Sequence, residues 1–214
     1  MFDRSEVVVV GIDVGGPRKG FHAVALRGDH YLTKFADCDA VSVAAWSRQI
    51  GAKVIGIDAP CRWSSTGRAR SAERSLAREH ITSFATPTEA IARSRPFNVW
   101  MLNGFELYRA IEQDYPLFNA NSIISDPLCF ETFPQAVACS LAGKIVSARE
   151  KRTIRRKLLR NAGIDTSDLT NIDIVDAALC ALTAHYFLNG NVKTYGDDVE
   201  GFIVVPLSME RVVK

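Results

Sequence analysis

Five carboxylates stand where the surrounding sequence is apolar. Asp13 closes the run Val7-Val8-Val9-Val10-Gly11-Ile12, and Asp58 closes Val54-Ile55-Gly56-Ile57. Glu131 follows Leu128-Cys129-Phe130, while Asp173 and Asp176 fall inside Ile172–Leu182, which is otherwise almost wholly apolar. Burying an ionised carboxylate is costly unless it is paired or bound to a cation. Divalent ions shared among these acids would offset that cost. Oxygen ligands select Mg²⁺ or Mn²⁺, and two such ions roughly 3.5–4 Å apart can activate water and stabilise a leaving oxygen. Phosphodiester hydrolysis needs those functions and no covalent nucleophile. The chain has no GxSxG elbow, no Walker A loop and no HExxH pair to support a competing chemistry.

Each acid also has a plainer reading. Asp13 and Asp58 sit at the ends of strand-like runs, where ligands gather in parallel sheets, but an Asp there can simply open a turn. Their similar contexts, Gly-Ile-Asp-Val and Gly-Ile-Asp-Ala, favour a shared role, and Gly15 and Gly16 allow a sharp turn beside a ligand. Asp173 and Asp176 are three residues apart and share a helical face. The helix dipole behind an Asn171 cap accounts for Asp173; it accounts less well for Asp176, which has apolar neighbours on both sides. Glu131 reads either as a helix N-terminal acid ahead of Pro134 or as a further member of the cluster.

Two basic groups could hold phosphates. Arg62, Arg68, Arg70 and Arg74 follow Asp58, and Arg149–Arg160 carries seven cations against one acid, Glu150. A stripe of this kind suits a nucleic-acid backbone, and a solvated helix face is the alternative. Arg70, Arg74, Lys151 and Arg155 are the phosphate-binding candidates.

The elements that must position these groups can be read from patterning. Val7–Val14 is a continuously apolar, β-branched strand buried on both faces. Phe21–Leu26 and Tyr31–Phe35 form a hairpin around Arg27-Gly28-Asp29-His30, and Val41–Ile50 is a helix leading to the strand Val54–Asp58. Ser71–His80 and Trp100–Gln113 are helices, with Ile81–Val99 a long loop between them. A strand over Leu128–Phe133 precedes a helix from Pro134 to about Gly143, and a basic helix over Arg152–Ala162 ends at Gly163. Asn171 caps the apolar helix Ile172–Asn189, and Phe202–Val205 is a last strand. The order strand, hairpin, helix, strand predicts a mixed sheet with a crossover.

Bulk properties narrow the class. A chain of 214 residues with 47% hydrophobic and 23% charged residues can bury a core as one domain, 1–214, and is not disordered. A net charge of +2 does not by itself argue for nucleic acid. Five scattered cysteines with no CxxC pair fit reduced thiols, and four scattered histidines argue against a Cys/His zinc site. The opening Met1–Glu6 carries charges of both signs and is unlike a signal peptide, and no apolar stretch is long enough to span a bilayer. A cytoplasmic protein is expected, its oligomeric state left open, a homodimer included.

With these residues in view, the chain resembles a family of uncharacterised prokaryotic proteins thought to be nucleases with an RNase H-like fold. The resemblance is carried by Gly11-Ile12-Asp13-Val14-Gly15-Gly16, Ile57-Asp58-Ala59-Pro60, Arg70–Arg78, Glu131-Thr132-Phe133-Pro134, Lys151 with Arg155 and Arg156, and Ile172–Leu182. The wider superfamily, which includes the Holliday-junction resolvases related to RuvC, implies a first-strand Asp, an acid ending the fourth strand and an Asp-x-x-Asp pair on the last helix. Asp13, Asp58 and Asp173/Asp176 match in order. The chain departs from the resolvase pattern in a long helical insertion, about 62–126, and in Glu131 as an added acid.

The expectation is therefore an α/β chain with an RNase H-like mixed central sheet flanked by helices, acting as a Mg²⁺- or Mn²⁺-dependent nuclease on DNA or RNA. Asp13, Asp58 and Asp176 would hold two ions, with Asp173 and Glu131 as further catalytic acids. A nucleotide-dependent phosphotransferase of the actin-like type is one alternative, since its phosphate loop also follows a first strand with Asp-x-Gly-Gly. A non-catalytic nucleic-acid-binding module is another.

Overall fold

The computed structural model describes residues 6–123 and 126–207. The reading of the opening segment Met1–Glu6 thus falls almost entirely outside the described residues, as do positions 124 and 125 of the insertion. The chain forms β1 (Val8–Val14), β2 (Phe21–Arg27), β3 (His30–Asp37), α1 (Ala40–Gln49), β4 (Val54–Asp58), α2 (Ser71–Arg78), α3 (Glu89–Ser94), α4 (Val99–Ile111), β5 (Leu128–Glu131), α5 (Pro134–Ala142), α6 (Lys151–Asn161), α7 (Ile172–Leu188), β6 (Val192–Asp197) and β7 (Gly201–Pro206). Short 3₁₀ turns at Pro96–Asn98 and Ala148–Glu150 lead into α4 and α6.

All seven residues of β1 are buried, as its β-branched run requires of a central strand. The seven-stranded sheet has the order β3-β2-β1-β4-β5-β7-β6. β2 runs antiparallel to β1 and to β3; β4 and β5 are parallel to β1, and β6 and β7 close the far edge as an antiparallel pair. The expected α/β architecture, a mixed central sheet flanked by helices, is met.

Alternation along β1 sends side chains to two cores. Val8, Val10, Ile12 and Val14 pack with Val43 and Ala44 of α1 and with Leu107 and Ile111 of α4. Val9 packs on the opposite face with Val175, Leu179 and Leu182 of α7. α7 is apolar nearly all round and buried over most of its length, as its composition demands. It lies unusually close to the sheet because β1 and β4 present glycines to it. A Cβ on Gly11 would stand 2.0 Å from the Ala181 nitrogen and 2.1 Å from the Ala177 oxygen, and one on Gly56 would stand 2.6 Å from the Cys180 oxygen. Asn171 caps α7 as expected, its side chain accepting from Ile174 N at 2.9 Å.

Two features depart from the sequence reading. The segment expected to be a loop, Ile81–Val99, contains α3, capped by Thr88. β6 has no counterpart in the pattern analysis, because an edge strand with five exposed or half-buried residues of six lacks an apolar run. All five cysteines are free, four of them buried. Among the described residues, no helix is long and apolar enough to cross a membrane.

Candidate active site

The site is built on the ends of three adjacent strands. β1 and β4 pair in parallel with Asp13 opposite Asp58, and β2 pairs on the other side of β1 with His22 opposite Asp13. His22, Asp13 and Asp58 therefore form one row across the sheet. Asp13 follows Val9 and Gly11 at two-residue spacing, and Asp58 follows Val54 and Gly56, so both carboxylates emerge on the α7 face. The first turns of α7 bring Asp173 and Asp176 over this row. Ligand atoms of Asp13, His22 and Asp173 all lie within 4.8 Å of one another.

Cations close the site. Lys19, in the turn between β1 and β2, places Nζ 2.5 Å from Asp173 Oδ1 and 3.9 Å from Asp13 Oδ2. Arg155 of α6 donates from Nη1 to Asp176 Oδ1 and from Nη2 to Gln135 Oε1 at 3.1 Å. Lys151 Nζ stands 3.9 Å from Asp176 Oδ2.

The electrostatics are those of crowded, dehydrated acids. Burial pushes the Asp13 carboxyl up to about 7, helped by the charges of Asp176 and Asp173 and opposed by Lys19 and Lys151. Burial likewise holds Asp58 well above the usual carboxylate range, with Asp13 and Asp176 adding to it. Asp176 is raised by burial despite the opposing Arg155 and Lys151. Burial lowers His22 and so favours a neutral imidazole, a base able to act as a ligand. The Lys19 ammonium pays a burial penalty, yet its hydrogen bond to Asp173 and the charge of Asp13 raise it on balance.

Asp13 is 7% exposed, and its Oδ2 has no hydrogen-bond partner; neither has the buried Nδ1 of His22. A buried oxygen anion without a donor is costly. Carboxylate oxygens converging around such an atom, with one imidazole beside them, form a donor set that fits a divalent metal ion.

Glu131, Arg70 and Arg74 are engaged outside this cluster. Glu131 is in register with Ile57, one residue short of Asp58, and so faces the α4 side of the sheet. It accepts from Arg70 Nη2 at 2.5 Å, from Arg70 Nη1 at 2.8 Å and from Cys61 N at 2.9 Å. The expectation that Glu131 joins the metal cluster is corrected on this register. Arg70 is 1% exposed; besides Glu131 it binds Glu73 Oε1 through Nε at 3.0 Å and the Glu200 carbonyl through Nη1 at 3.2 Å. Its donors are committed to buried partners, and the phosphate role expected for Arg70 is withdrawn. Arg155 is 5% exposed and turned onto Asp176, so it too is a carboxylate partner in place of the expected phosphate holder. Arg74 is about half exposed and stands 4.0 Å from Glu200 Oε2, within the Arg70 network. Lys151, 42% exposed in its side chain, keeps an open position beside the acids.

Sequence reasoning missed Lys19 and His22. Both were within reach of hairpin arithmetic: if Val14 pairs with Phe21 across the glycine turn, Asp13 must pair with His22.

Residues 11–201 match the model of a family described as "Protein of unknown function (DUF429)". The chain belongs to that family. No curated protein matches it. Solved structures similar to this DUF429 chain include two of RuvC. One, described as "Thermus thermophilus RuvC structure", is 16% identical, with 86% of this chain and 97% of that chain covered and a TM-score of 0.49. The other, "T. thermophilus RuvC in complex with Holliday junction substrate", is 18% identical, with coverages of 86% and 96% and a TM-score of 0.44. In this DUF429 chain the family match spans all the acids of the row and of α7.

Proposed function

We propose that this chain is a divalent-metal-dependent nuclease that hydrolyses phosphodiester bonds of DNA or RNA. The observation that carries the reading is the convergence of Asp13 and Asp58, side by side on parallel strands, with Asp173 and Asp176 above them and a buried Asp13 oxygen that no donor satisfies. Asp13, Asp58 and Asp176 would hold Mg²⁺ or Mn²⁺, two ions in the full complement, with Asp173 and His22 on the Lys19 side. A bound divalent ion supplies positive charge for lowering the pKa of water and for stabilising a leaving oxygen.

The chain's own groups complete the chemistry. Burial brings Asp13 up to about 7 and raises Asp58 well above the usual carboxylate range, so a divalent ion binding there would displace protons. Arg155 fixes Asp176 from its outer side, and Gln135 in turn orients Arg155. Lys19 and Lys151 are the half-exposed cations nearest the acids and are assigned the backbone phosphates of the substrate. Nucleic acid is thus the proposed partner, and the cytoplasm the proposed location.

The test is cleavage of labelled single-stranded, duplex and branched nucleic acids in Mn²⁺ by the parent and by Asp13→Asn. Metal-dependent cleavage by the parent, abolished in the folded variant, is expected. Equal cleavage by both refutes the site. Binding of nucleic acid without cleavage by the parent favours a non-catalytic module.

A further inference from the structure

We infer that His22 is a direct nitrogen ligand at this centre, and that its imidazole biases the site toward Mn²⁺ and neighbouring transition ions over Mg²⁺. The inference rests on the metal-centre reading above and extends it to the identity of the ion.

Three observations converge on His22. Its Nδ1 is buried and has no hydrogen-bond partner. The residue opposite it in the β1–β2 register is Asp13, itself 7% exposed and carrying the unpartnered Oδ2. His22, Asp13 and Asp173 offer ligand atoms within 4.8 Å of one another, close enough for one ion to touch all three.

A histidine placed for packing alone would be expected to satisfy a buried ring nitrogen with a donor, since buried polar atoms are rarely left unpaired. Here two orphaned atoms, one nitrogen and one oxygen, belong to facing residues. A single cation placed between the two facing atoms would satisfy both. Lys19 shows that the spot already attracts positive charge: its ammonium contacts Asp173 and approaches Asp13. Its side chain is 48% exposed, so it can swing toward solvent and leave the acids to an ion of higher charge.

The chemistry then sets selectivity. Mg²⁺ demands near-ideal octahedral oxygen ligation and keeps its waters, whereas imidazole suits the later divalent metals, and affinity for a mixed nitrogen and oxygen set rises from Mn²⁺ through Co²⁺ and Ni²⁺. An all-carboxylate centre would lack this bias. His22 sits on β2, away from the strand ends of Asp58 and from Asp176, and so marks one side of the site as the nitrogen-ligated position.

The experiment is pulsed electron paramagnetic resonance of Mn²⁺ bound to the full chain, with calorimetric Mn²⁺ and Mg²⁺ titrations of the parent, His22→Asn and His22→Gln. The parent is expected to show ¹⁴N coupling to Mn²⁺, lost in both variants. Mn²⁺ affinity should fall by at least the roughly tenfold that loss of a supporting group costs at a metal site, while Mg²⁺ affinity changes less. Mn²⁺ that binds the parent without ¹⁴N coupling overturns the assignment and leaves the nuclease reading standing. Coupling that persists in both variants also overturns it, pointing to another nitrogen. Absence of any Mn²⁺ binding removes this inference and the metal-centre reading together.

Discussion

Asp13→Asn should stabilise the metal-free protein while destroying its proposed function. In the folded state the Asp13 carboxyl is raised from an ordinary 3.8 to about 7, by burial first and by Asp176 next. The folded-state value exceeds the unfolded one, so the stability contributed by the protonated form is complete below about pH 4. It is lost as pH rises, and the loss is complete once pH passes about 7. A gap of about 3 units is worth about 4 kcal/mol at about 1.4 kcal/mol per unit, a ceiling for this crowded group. Asn removes the charge, but it leaves a buried amide to satisfy and shares the relief with Asp58, so the expected net gain is about 1–3 kcal/mol at pH 8. For a chain of this size that is a melting-temperature rise of roughly 3–10 °C. Urea and thermal denaturation in EDTA at pH 4.5 and pH 8 would measure it, and the difference should shrink toward the lower pH. Saturating Mn²⁺ should reverse the order, since an ion at a hundred times its Kd restores about 2.7 kcal/mol to the parent and much less to the variant. A variant less stable than the parent at pH 8 without metal, or a gain that does not change with pH, would refute the electrostatic reading of the cluster.

Other outcomes follow from the same geometry. Mn²⁺ affinity should rise with pH up to about pH 7–8 with proton release, because Asp13 and Asp58 must ionise to bind; calorimetry in buffers of different ionisation enthalpy would detect the released protons. Arg70→Met should cost about 3–5 kcal/mol in urea denaturation, since Glu131 and Glu73 would stay buried without their partner, and pairing it with Glu131→Leu should recover much of the loss. Gly11→Ala should abolish soluble expression or lower the melting temperature sharply, because its methyl group has no space beneath α7. Lys151→Ala should weaken nucleic-acid binding across sequences and reduce the salt-dependence slope by roughly 0.7–0.9, readable by fluorescence anisotropy over a salt series.

How much of this was legible beforehand depended on whether the signal was local. Val7–Val14 announced a central strand because β-branched, uninterrupted apolar sequence has few other stable placements, and the glycine breaks placed the hairpin beside it. Asp176 could be singled out because an acid amid apolar helix neighbours has no cheap solvent-exposed alternative. Glu131 shows where such reading stops. It ends an apolar strand just as Asp13 and Asp58 do, yet a register offset of a single residue turns it to the other face. A short turn fixes register within a hairpin, but nothing local fixes it between β4 and β5, which lie far apart in sequence. Arg70 and Arg155 failed for a related reason: besides the nearby Glu73, Arg70 binds Glu131, 61 residues away, and Arg155 binds Asp176, 21 residues away, so the charge was legible but its burial was not. β6 escaped because edge strands need not be apolar.

The Arg70 guanidinium joins the strand β5, the helix α2 and the backbone at Glu200 just ahead of β7. Glu200 in turn accepts from Ser65, midway along the loop after β4, and from Ser71 at the start of α2. The helical stretch after β4 is thus riveted to the C-terminal half of the sheet, not hung from it. An engineer who transplanted that stretch, or trimmed the chain to a minimal scaffold, would have to move Glu73, Glu131 and Glu200 as one cassette or redesign all of them as apolar.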